Sequence, residues 1–189
     1  VPEFDNNPLD EVQEFKEGEK DVVKVYVAKK AGEAVGYAVE TFTKNGFGGR
    51  IDLMVGFDAK GVICDFSVLK HGETPGLGAK MDEWFHADSK GGNIQNMKGV
   101  DMAAENGTLV VAKDGGKVDA ITASTITSRA FLDAVNRAYK YYLEAVGSAP
   151  AGAEATDASA DVPQDEASTA AETPSTEDNA APAEKGDNK

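Results

Sequence analysis

The sequence predicts an α+β fold in which a mostly antiparallel sheet meander is followed by a short helix, a long C-terminal helix and a disordered acidic tail. Three observations support this prediction. Four runs between residues 22 and 69 alternate apolar and polar residues, and glycine-containing turns separate them. A helical stripe of apolar residues then extends from Ile126 to Ala145. Beyond residue 148, large apolar residues almost disappear.

The chain divides into three predicted segments. Residues 1–20 are polar and acidic, and we expect a lead-in with a short helical piece near Leu9 to Phe15. Residues 21–147 form the predicted folded domain, which is long enough for one hydrophobic core. Residues 148–189 contain ten acidic residues and two lysines, and their only large apolar residue is Val162. Such a segment cannot bury enough surface to offset its ordering entropy, so we expect it to be disordered.

The predicted meander has four strands joined by short turns rich in glycine, which is the composition of tight reversals. The last strand places Val62, Cys64, Phe66 and Val68 on one face. In chain order the predicted strands are Val22 to Ala28, Ala34 to Thr43, Arg50 to Phe57, and Val62 to Leu69.

The second half of the predicted domain begins with a loop from His71 to Gly78. One or two helical turns from Lys80 to His86 follow, and Leu109 to Lys113 is predicted as one further strand. The long helix begins near Ile126, where preceding Ser and Thr residues are good caps. Gly147, with Pro150 soon after it, predicts the end of this helix.

Composition argues against several classes of function. The net charge of −14 argues against a nucleic-acid partner and against adsorption to an anionic membrane surface. The single cysteine, Cys64, excludes an internal disulfide and an all-cysteine metal site. His71 and His86 have no companion cysteine, so we predict no metal site. No stretch approaches the ~20 apolar residues that span a bilayer.

A run of small and hydroxyl-bearing residues precedes the long helix, from Asp119 to Ser128. A helix entrance presents free backbone N–H groups and a partial positive charge, which suit a phosphate group. Capping alone is the simpler explanation of a Ser/Thr cluster. This run, however, has more hydroxyls than one cap needs, and Ala123 and Ser124 would let a bulky group approach the backbone. The hydroxyl-bearing residues are Thr122, Ser124, Thr125, Thr127 and Ser128.

A second block lies about fifty residues upstream, where the sequence reads Glu-Thr-Pro-Gly-Leu-Gly from Glu73 to Gly78. Its proline and two glycines set a tight loop whose backbone can approach a flat ring. Leu77 would add an apolar contact, and Glu73 and Thr74 would add polar ones. Taken alone, the same residues also fit an ordinary Pro-Gly turn.

Together these two blocks resemble the FMN-binding domain family, which is found in the G subunit of Rnf electron transport complexes and in the C subunit of sodium-pumping NADH:quinone reductases. The loop from Glu73 to Gly78 matches the family's Glu-Thr-Pro-Gly-Leu-Gly at every position. The family's attachment motif, roughly Asp-x-x-Ser/Thr-Gly-Ala-Thr, is matched at Asp119, Thr122 and Thr125. Ala123 and Ser124 stand where the family usually has Gly and Ala.

A third partial match, Gly46-Phe47-Gly48-Gly49, is closer to the Rnf type than to the sodium-pump type. The resemblance extends from about Val35 to Val146. It implies that a flavin transferase joins FMN covalently to Thr125 through a phosphoester, with Thr127, Ser128 and the first helical N–H groups holding the phosphate. The implied FMN-binding residues are Thr125, Glu73, Thr74, Gly76, Leu77, Gly78, Thr122, Ala123, Ser124, Thr127 and Ser128.

The resemblance also implies a function. The chain would be an electron-carrying flavoprotein subunit of an ion-translocating membrane oxidoreductase, with no catalytic residue and no product of its own. Its partners would be the other membrane subunits and, during maturation, the flavin transferase. The domain would lie on the extracytoplasmic side of the inner membrane, anchored by an N-terminal helix absent from this chain.

Two alternatives stay open at this point. One is the C subunit of a sodium-pump-type reductase or another membrane FMN-domain reductase. The other is a non-redox binding or sensory module in which Thr125 is only a helix cap.

Overall fold

The computed structural model describes residues 1–148 and confirms the predicted α+β fold. Five antiparallel strands form one sheet in the order β1-β2-β3-β4-β5, followed by a short and a long helix. The predicted disordered tail lies outside the described residues, apart from Ser148. Among residues 1–148, no helix is long and apolar enough to cross a membrane. The elements are β1 (Val12–Glu17), β2 (Asp21–Lys30), β3 (Glu33–Gly46), β4 (Gly49–Asp58), β5 (Ile63–Lys70), α1 (Met81–His86) and α2 (Thr125–Ser148).

Each strand of the sheet pairs with the next one along the chain. One row of paired residues crosses three strands through Val25, Val39 and Val55, all fully buried. The turn between β2 and β3 has two residues, Ala31 and Gly32, at φ 53° and 85°. Positive φ at both positions is what a two-residue hairpin loop of type I′ requires.

Helix α2 covers one face of this sheet. Two buried threonines of β3 form hydrogen bonds that hold the helix at its position along this strand. Thr41 donates its hydroxyl to the carbonyl of Ala134 at 3.5 Å, and Thr43 donates to the carboxylate of Asp133 at 2.6 Å. Phe131 of α2 stacks on Phe85 of α1 with ring centroids 4.2 Å apart, and it also contacts Phe66 of β5. These contacts place the first turn of α2 beside the loop that precedes α1.

The lead-in differs from the prediction, because β1 occupies most of the segment expected to be helical. Only Pro8–Asp10 forms a 3₁₀ turn, and Val12–Glu17 is a strand. Phe15 pairs with Val23 of β2, and its ring packs 5.1 Å from that of Tyr141. Pairing and packing with distant residues therefore override the weak local helical pattern.

The predicted strand from Leu109 to Lys113 is also wrong. Val111 forms only an isolated bridge with Val118, and Ala112–Asp114 is a 3₁₀ turn. The side chain of Asn136 on α2 bonds both the N–H and the carbonyl of Leu109, at 2.8 and 3.0 Å. A helix side chain thus takes the backbone groups that a neighbouring strand would have used. At the other end, α2 extends to Ser148, one residue beyond the stop predicted at Gly147.

A β-bulge in β5 changes the face that the sequence predicts to be buried. Gly56 pairs with Asp65 while Phe57 pairs with Ile63, so Cys64 is the extra residue. Ile63 and Phe66 are therefore buried, whereas Cys64 is half-buried. Strict alternation of Val62, Cys64, Phe66 and Val68 fails because the bulge shifts the pleat by one residue.

Candidate functional site

The two sequence blocks line one cavity of about 340 Å³, which is within the ~300–1,000 Å³ typical of small-molecule sites. The loop between β5 and α1 forms one wall, and the entrance of α2 forms another. The turn between β3 and β4 adds Phe47 at the edge. The lining residues are Phe47, Glu73, Thr74, Leu77, Gly78, Ala123, Ser124, Thr125, Ile126 and Thr127.

Three of the predicted site residues do not line this cavity. Gly76 lies in the loop at φ 75° and lets it turn. Thr122 is exposed ahead of the helix. Ser128 is fully buried, where its hydroxyl accepts from the N–H of Ile121 at 2.9 Å and donates to the carbonyl of Ser124 at 3.0 Å. The Ser128 hydroxyl therefore braces the helix entrance from inside.

The helix entrance itself is sharply defined. The N–H of Ser124 bonds the carbonyl of Ile121 at 3.0 Å, and the N–H of Ser128 bonds the carbonyl of Ser124 at 3.0 Å. The second bond closes the first turn of α2. The N–H groups of Thr125, Ile126 and Thr127 come earlier, where a helix offers no acceptor one turn back. They add partial positive charge beside the cavity.

Ala123 has a left-handed backbone, with φ at 61°. This conformation costs a residue with a Cβ about 1–2 kcal/mol, and glycine adopts it freely. The family's motif usually has glycine at this position. The chain therefore keeps the backbone turn that the motif needs while using a residue that is strained in it.

Glu73 lies at the centre of the site as a buried carboxylate. One of its oxygens accepts the N–H of Gly48 at 2.8 Å, and the other accepts the hydroxyl of Thr127. Its own N–H donates to Nδ1 of His71 at 3.2 Å. One side chain therefore joins the β3–β4 turn, the loop before α1 and the first turn of α2.

Three glycines surround this carboxylate at distances that exclude a side chain. A Cβ on Gly78 would collide with the Thr127 hydroxyl and come within 2.7 Å of Glu73 Oε2. A Cβ on Gly46 would come within 2.6 Å of Glu73 Oε1, and one on Gly48 would collide with the carbonyl of Gly72. The glycines allow the close packing that puts Glu73 in reach of its partners.

A positive charge lies at the Thr125 end of the cavity. Thr125 is half-buried, and its hydroxyl accepts a hydrogen bond from Lys113 Nζ at 3.3 Å. Next to Lys113, Asp114 forms a two-pronged pair with Arg129 of α2, at 2.6 and 2.7 Å. The hydrogen bonds from Arg129 lower the pKa of Asp114, and the charges of Arg129 and Lys113 lower it further. Asp114 is therefore held as a carboxylate.

The rim of the cavity, in contrast, is apolar, because large apolar side chains are exposed there. Phe47 is 70% exposed, Ile126 50% and Leu77 42%. Exposed apolar residues grouped around a concavity are typical of a ligand or partner contact. The cavity thus combines a cationic end with an apolar rim.

Sequence reasoning omitted three of these residues from the predicted site. Phe47 lies inside the glycine motif that resembles the family, and Ile126 directly follows Thr125, so the neighbouring sequence could have indicated both residues. Nothing in the neighbouring sequence indicated Lys113, because its contact with Thr125 forms only when the 3₁₀ turn folds against α2.

Comparison with known proteins places these features in a family. The profile of the FMN-binding domain family matches residues 46–140, about half of the chain. The chain is 40% identical over 118 residues to the G subunit of the ion-translocating oxidoreductase complex of Shewanella loihica, covering 62% of the chain and 53% of that protein. It is 36% identical over 129 residues to the protein of the same name from Aliivibrio fischeri, covering 66% and 58%.

A third relative is the G subunit of the Na(+)-translocating ferredoxin:NAD(+) oxidoreductase complex of Acetobacterium woodii, which is 35% identical over 124 residues, covering 65% of the chain and 56% of that protein. The chain therefore spans little more than half the length of these relatives.

The region matched by the family profile includes both walls of the cavity, from Glu73 through Thr125. FMN has an anionic phosphate and a flat aromatic ring system whose dimethylbenzene part is apolar. The cationic end and helix entrance suit the first part, and the apolar rim suits the second. The residues present fit this cofactor, and the chain belongs to the FMN-binding domain family.

Proposed function

We propose that this chain is the FMN-carrying domain of the G subunit in an ion-translocating oxidoreductase complex, with FMN joined covalently to Thr125 through a phosphoester. When bound, FMN supplies the electron-transfer chemistry, and the protein supplies position and surroundings. Family membership supports FMN as the cofactor. The names of the relatives support the complex, and the matched attachment motif supports the covalent bond.

The observation that favours Thr125 is the state of its hydroxyl compared with its neighbours. The Thr127 hydroxyl donates to Glu73, and the Ser128 hydroxyl is engaged inside the helix entrance. Thr125 lines the cavity, and within residues 1–148 its hydroxyl has one hydrogen-bond partner, the exposed Lys113, at 3.3 Å. It is thus the hydroxyl of the first helical turn that is best placed to accept a phosphoryl group.

The surrounding residues would hold the two parts of the cofactor differently. The first N–H groups of α2 would bind the phosphate oxygens, aided by the helix dipole. Leu77, Phe47 and Ile126 would pack against the ring and exclude water from part of it. The cavity is open at this rim, so a covalent bond would keep the cofactor from dissociating where a redox partner must approach.

Attachment is tested by co-expressing the chain with a flavin transferase, denaturing it, and measuring both fluorescence of the band and intact mass. Wild type and Thr125→Ser should gain the mass of FMN less one water, whereas Thr125→Val should gain no mass and stay colourless. A colourless wild type would overturn the covalent carrier. Flavin retained in Thr125→Val but lost in Thr127→Val would move the attachment point to Thr127.

Membership of the complex needs a separate test, since the chain spans only part of its relatives. The proposed partners are the other membrane subunits of the redox complex, and the proposed location is the extracytoplasmic side of the inner membrane. Protease added to intact spheroplasts of the source cells should digest this domain. Purification of the native protein should recover the membrane redox subunits. Recovery of sodium-pump subunits instead would favour the sodium-pump alternative.

A further inference from the structure

We propose that Lys113 is the side chain that positions the phosphoryl group at Thr125, both during flavin attachment and in the finished phosphoester. This inference rests on the proposed function. It assigns a role to a residue outside the motif, through a contact that joins the 3₁₀ turn at Ala112–Asp114 to the first residue of α2.

The charge of Lys113 is available for an anion. Its Nζ lies 3.3 Å from the Thr125 hydroxyl, and within residues 1–148 no carboxylate lies within 4.0 Å of it. Neighbouring cations are already paired: Lys117 with Glu105 at 2.8 Å, and Arg129 with Asp114. An ammonium group that contacts a neutral hydroxyl and forms no ion pair of its own can bind a phosphate oxygen placed there.

The position of Lys113 is fixed by its neighbours. Asp114 is held by the guanidinium of Arg129, one helical turn after Thr125, so the 3₁₀ turn is tied to the same helix that carries the acceptor. The chain then reverses through Gly115 at φ 88°. The N–H of Ala112 bonds the carbonyl of Val118 at 2.8 Å, which closes the base of this reversal. Lys113 thus projects from a braced turn.

The attachment reaction brings a negatively charged phosphoryl group next to the ammonium of Lys113. The Thr125 oxygen attacks the FMN phosphorus of FAD, and a new O–P bond forms while the P–O bond to AMP breaks. AMP leaves, and the hydroxyl proton passes to a base of the transferase, with no change in oxidation state. The phosphorus becomes bonded directly to the oxygen that Lys113 already contacts. Its free oxygens then come within reach of a charge-assisted hydrogen bond, which is stronger than a neutral one.

The test measures the initial rate of FMN attachment by intact mass, with purified chain, purified flavin transferase and FAD. Lys113→Gln should lower the rate about tenfold, a factor that corresponds to ~1.4 kcal/mol. Lys113→Arg should recover most of it because the charge is retained. Lys117→Gln is the matched control, since it removes a nearby lysine that pairs with Glu105, and its rate should equal that of wild type.

Two further measurements separate positioning from a general loss of structure. In the loaded proteins, the ³¹P resonance of the phosphodiester should shift between wild type and Lys113→Gln, but not between wild type and Lys117→Gln. Arg129→Gln keeps the Lys113 side chain but removes the ion pair that holds its turn against α2, so the rate should fall between those of wild type and Lys113→Gln.

A Lys113→Gln rate within twofold of wild type, with an unchanged ³¹P resonance, would overturn the role of Lys113 while leaving the attachment at Thr125 intact. A wild-type chain that gains no FMN would overturn the proposed attachment and this inference together.

Discussion

The hydroxyl of Thr127 donates to the carboxylate of Glu73, 54 positions earlier in the chain, and both side chains are buried. The other oxygen of Glu73 accepts the N–H of Gly48, so the carboxylate links the three segments that line the cavity. A buried carboxylate is tolerated only where hydrogen bonds replace its lost hydration. The stability of the site therefore depends on these two donors, the Gly48 N–H and the Thr127 hydroxyl.

Thr127→Val should lower the free energy of unfolding by about 1–3 kcal/mol, because it keeps the volume but leaves a Glu73 oxygen without its donor. Thr127→Ser keeps the hydroxyl and should lose less. Urea unfolding followed by circular dichroism measures both. Thr108→Val is the control at an exposed threonine and should change stability by no more than ~0.5 kcal/mol. Equal stability of Thr127→Val and wild type would contradict the role assigned to this bond.

Gly78 and Gly76, two residues apart in the same loop, should respond differently to alanine. At Gly78 the new Cβ would clash with Thr127 and Glu73, so overpacking of about 1–3 kcal/mol is expected together with reduced flavin attachment. At Gly76 no atom lies within 4 Å of the new Cβ, but φ is 75°, so strain of about 1–2 kcal/mol is expected with the cavity wall preserved. Thermal unfolding and intact mass distinguish the two. Identical loss of flavin in both variants would contradict the packing argument.

The fold was predictable from the sequence wherever local pattern and tertiary contacts agree. The alternation in β2, β3 and β4 and the apolar stripe of α2 predict their elements correctly, because most residues that the pattern marks are buried, although Ile126 at the start of the stripe is exposed at the cavity rim. The prediction fails where a distant partner decides. β1 is a strand because β2 lies beside it, and Leu109 is not in a strand because Asn136 takes its backbone groups.

The candidate site was likewise predictable only in part. The sequence predicts that the Glu73 loop and the Thr125 run meet, and both line the cavity. It cannot assign each hydroxyl, because Thr125, Thr127 and Ser128 have similar chemistry and differ only in what surrounds them. Thr127 is bonded to Glu73, a contact that depends on how far α2 is rotated against the loop, whereas Ser128 is bonded to Ser124 inside the helix entrance. Lys113 could not be predicted either, because its contact with Thr125 depends on how the 3₁₀ turn packs against α2.

Ala123→Gly should raise the free energy of unfolding by up to ~1.6 kcal/mol. Relief of the left-handed strain at φ 61° is worth about 1–2 kcal/mol, and the added freedom of the unfolded chain offsets about 0.4–1 kcal/mol of it. Ala104→Gly, at an exposed turn position without positive φ, should lower stability instead. Urea unfolding of the two variants against wild type measures this difference in sign. A destabilised Ala123→Gly would contradict the strain assigned to Ala123.

His86 links α1 to β5 through a contact that depends on its charge. Nε2 lies 2.9 Å from the carboxylate of Asp65, and Nδ1 lies 2.7 Å from the carbonyl of Asp82, so both ring nitrogens face acceptors. Only the protonated ring can donate to both. Burial opposes this charge, but the hydrogen bonds to Asp65 and Asp82 and the charges of both residues outweigh it, and the pKa of His86 is raised above 6.5. The hydrogen bond from His86 is also the main cause of the lowered pKa of Asp65.

These two pKa shifts determine whether the stability contributed by the His86–Asp65 pair rises or falls with pH. The stabilisation from His86 is fully present below its unfolded pKa of 6.5 and is lost as pH rises through the higher folded value. The contribution of Asp65 is present above its unfolded pKa of 3.8 and is lost as pH falls through the lower folded value. Because the His86 side chain is 35% exposed, solvent screening limits the pair to about 0.2–1 kcal/mol.

The His86→Gln variant tests this dependence when its stability is compared with that of wild type by urea unfolding at about pH 5.5 and about pH 8.5. Wild type should exceed the variant by more at the lower pH, since only there is the ring fully charged. Taking the difference between the two proteins cancels the titration of the other groups. Asp65→Asn should remove most of the same pH-dependent difference, because the charged ring then lacks its carboxylate partner. A stability difference that stays constant with pH, or grows as pH rises, would contradict this role of the charge. It would show that His86 stabilises the packing of α1 on β5 through its stacking against Phe66.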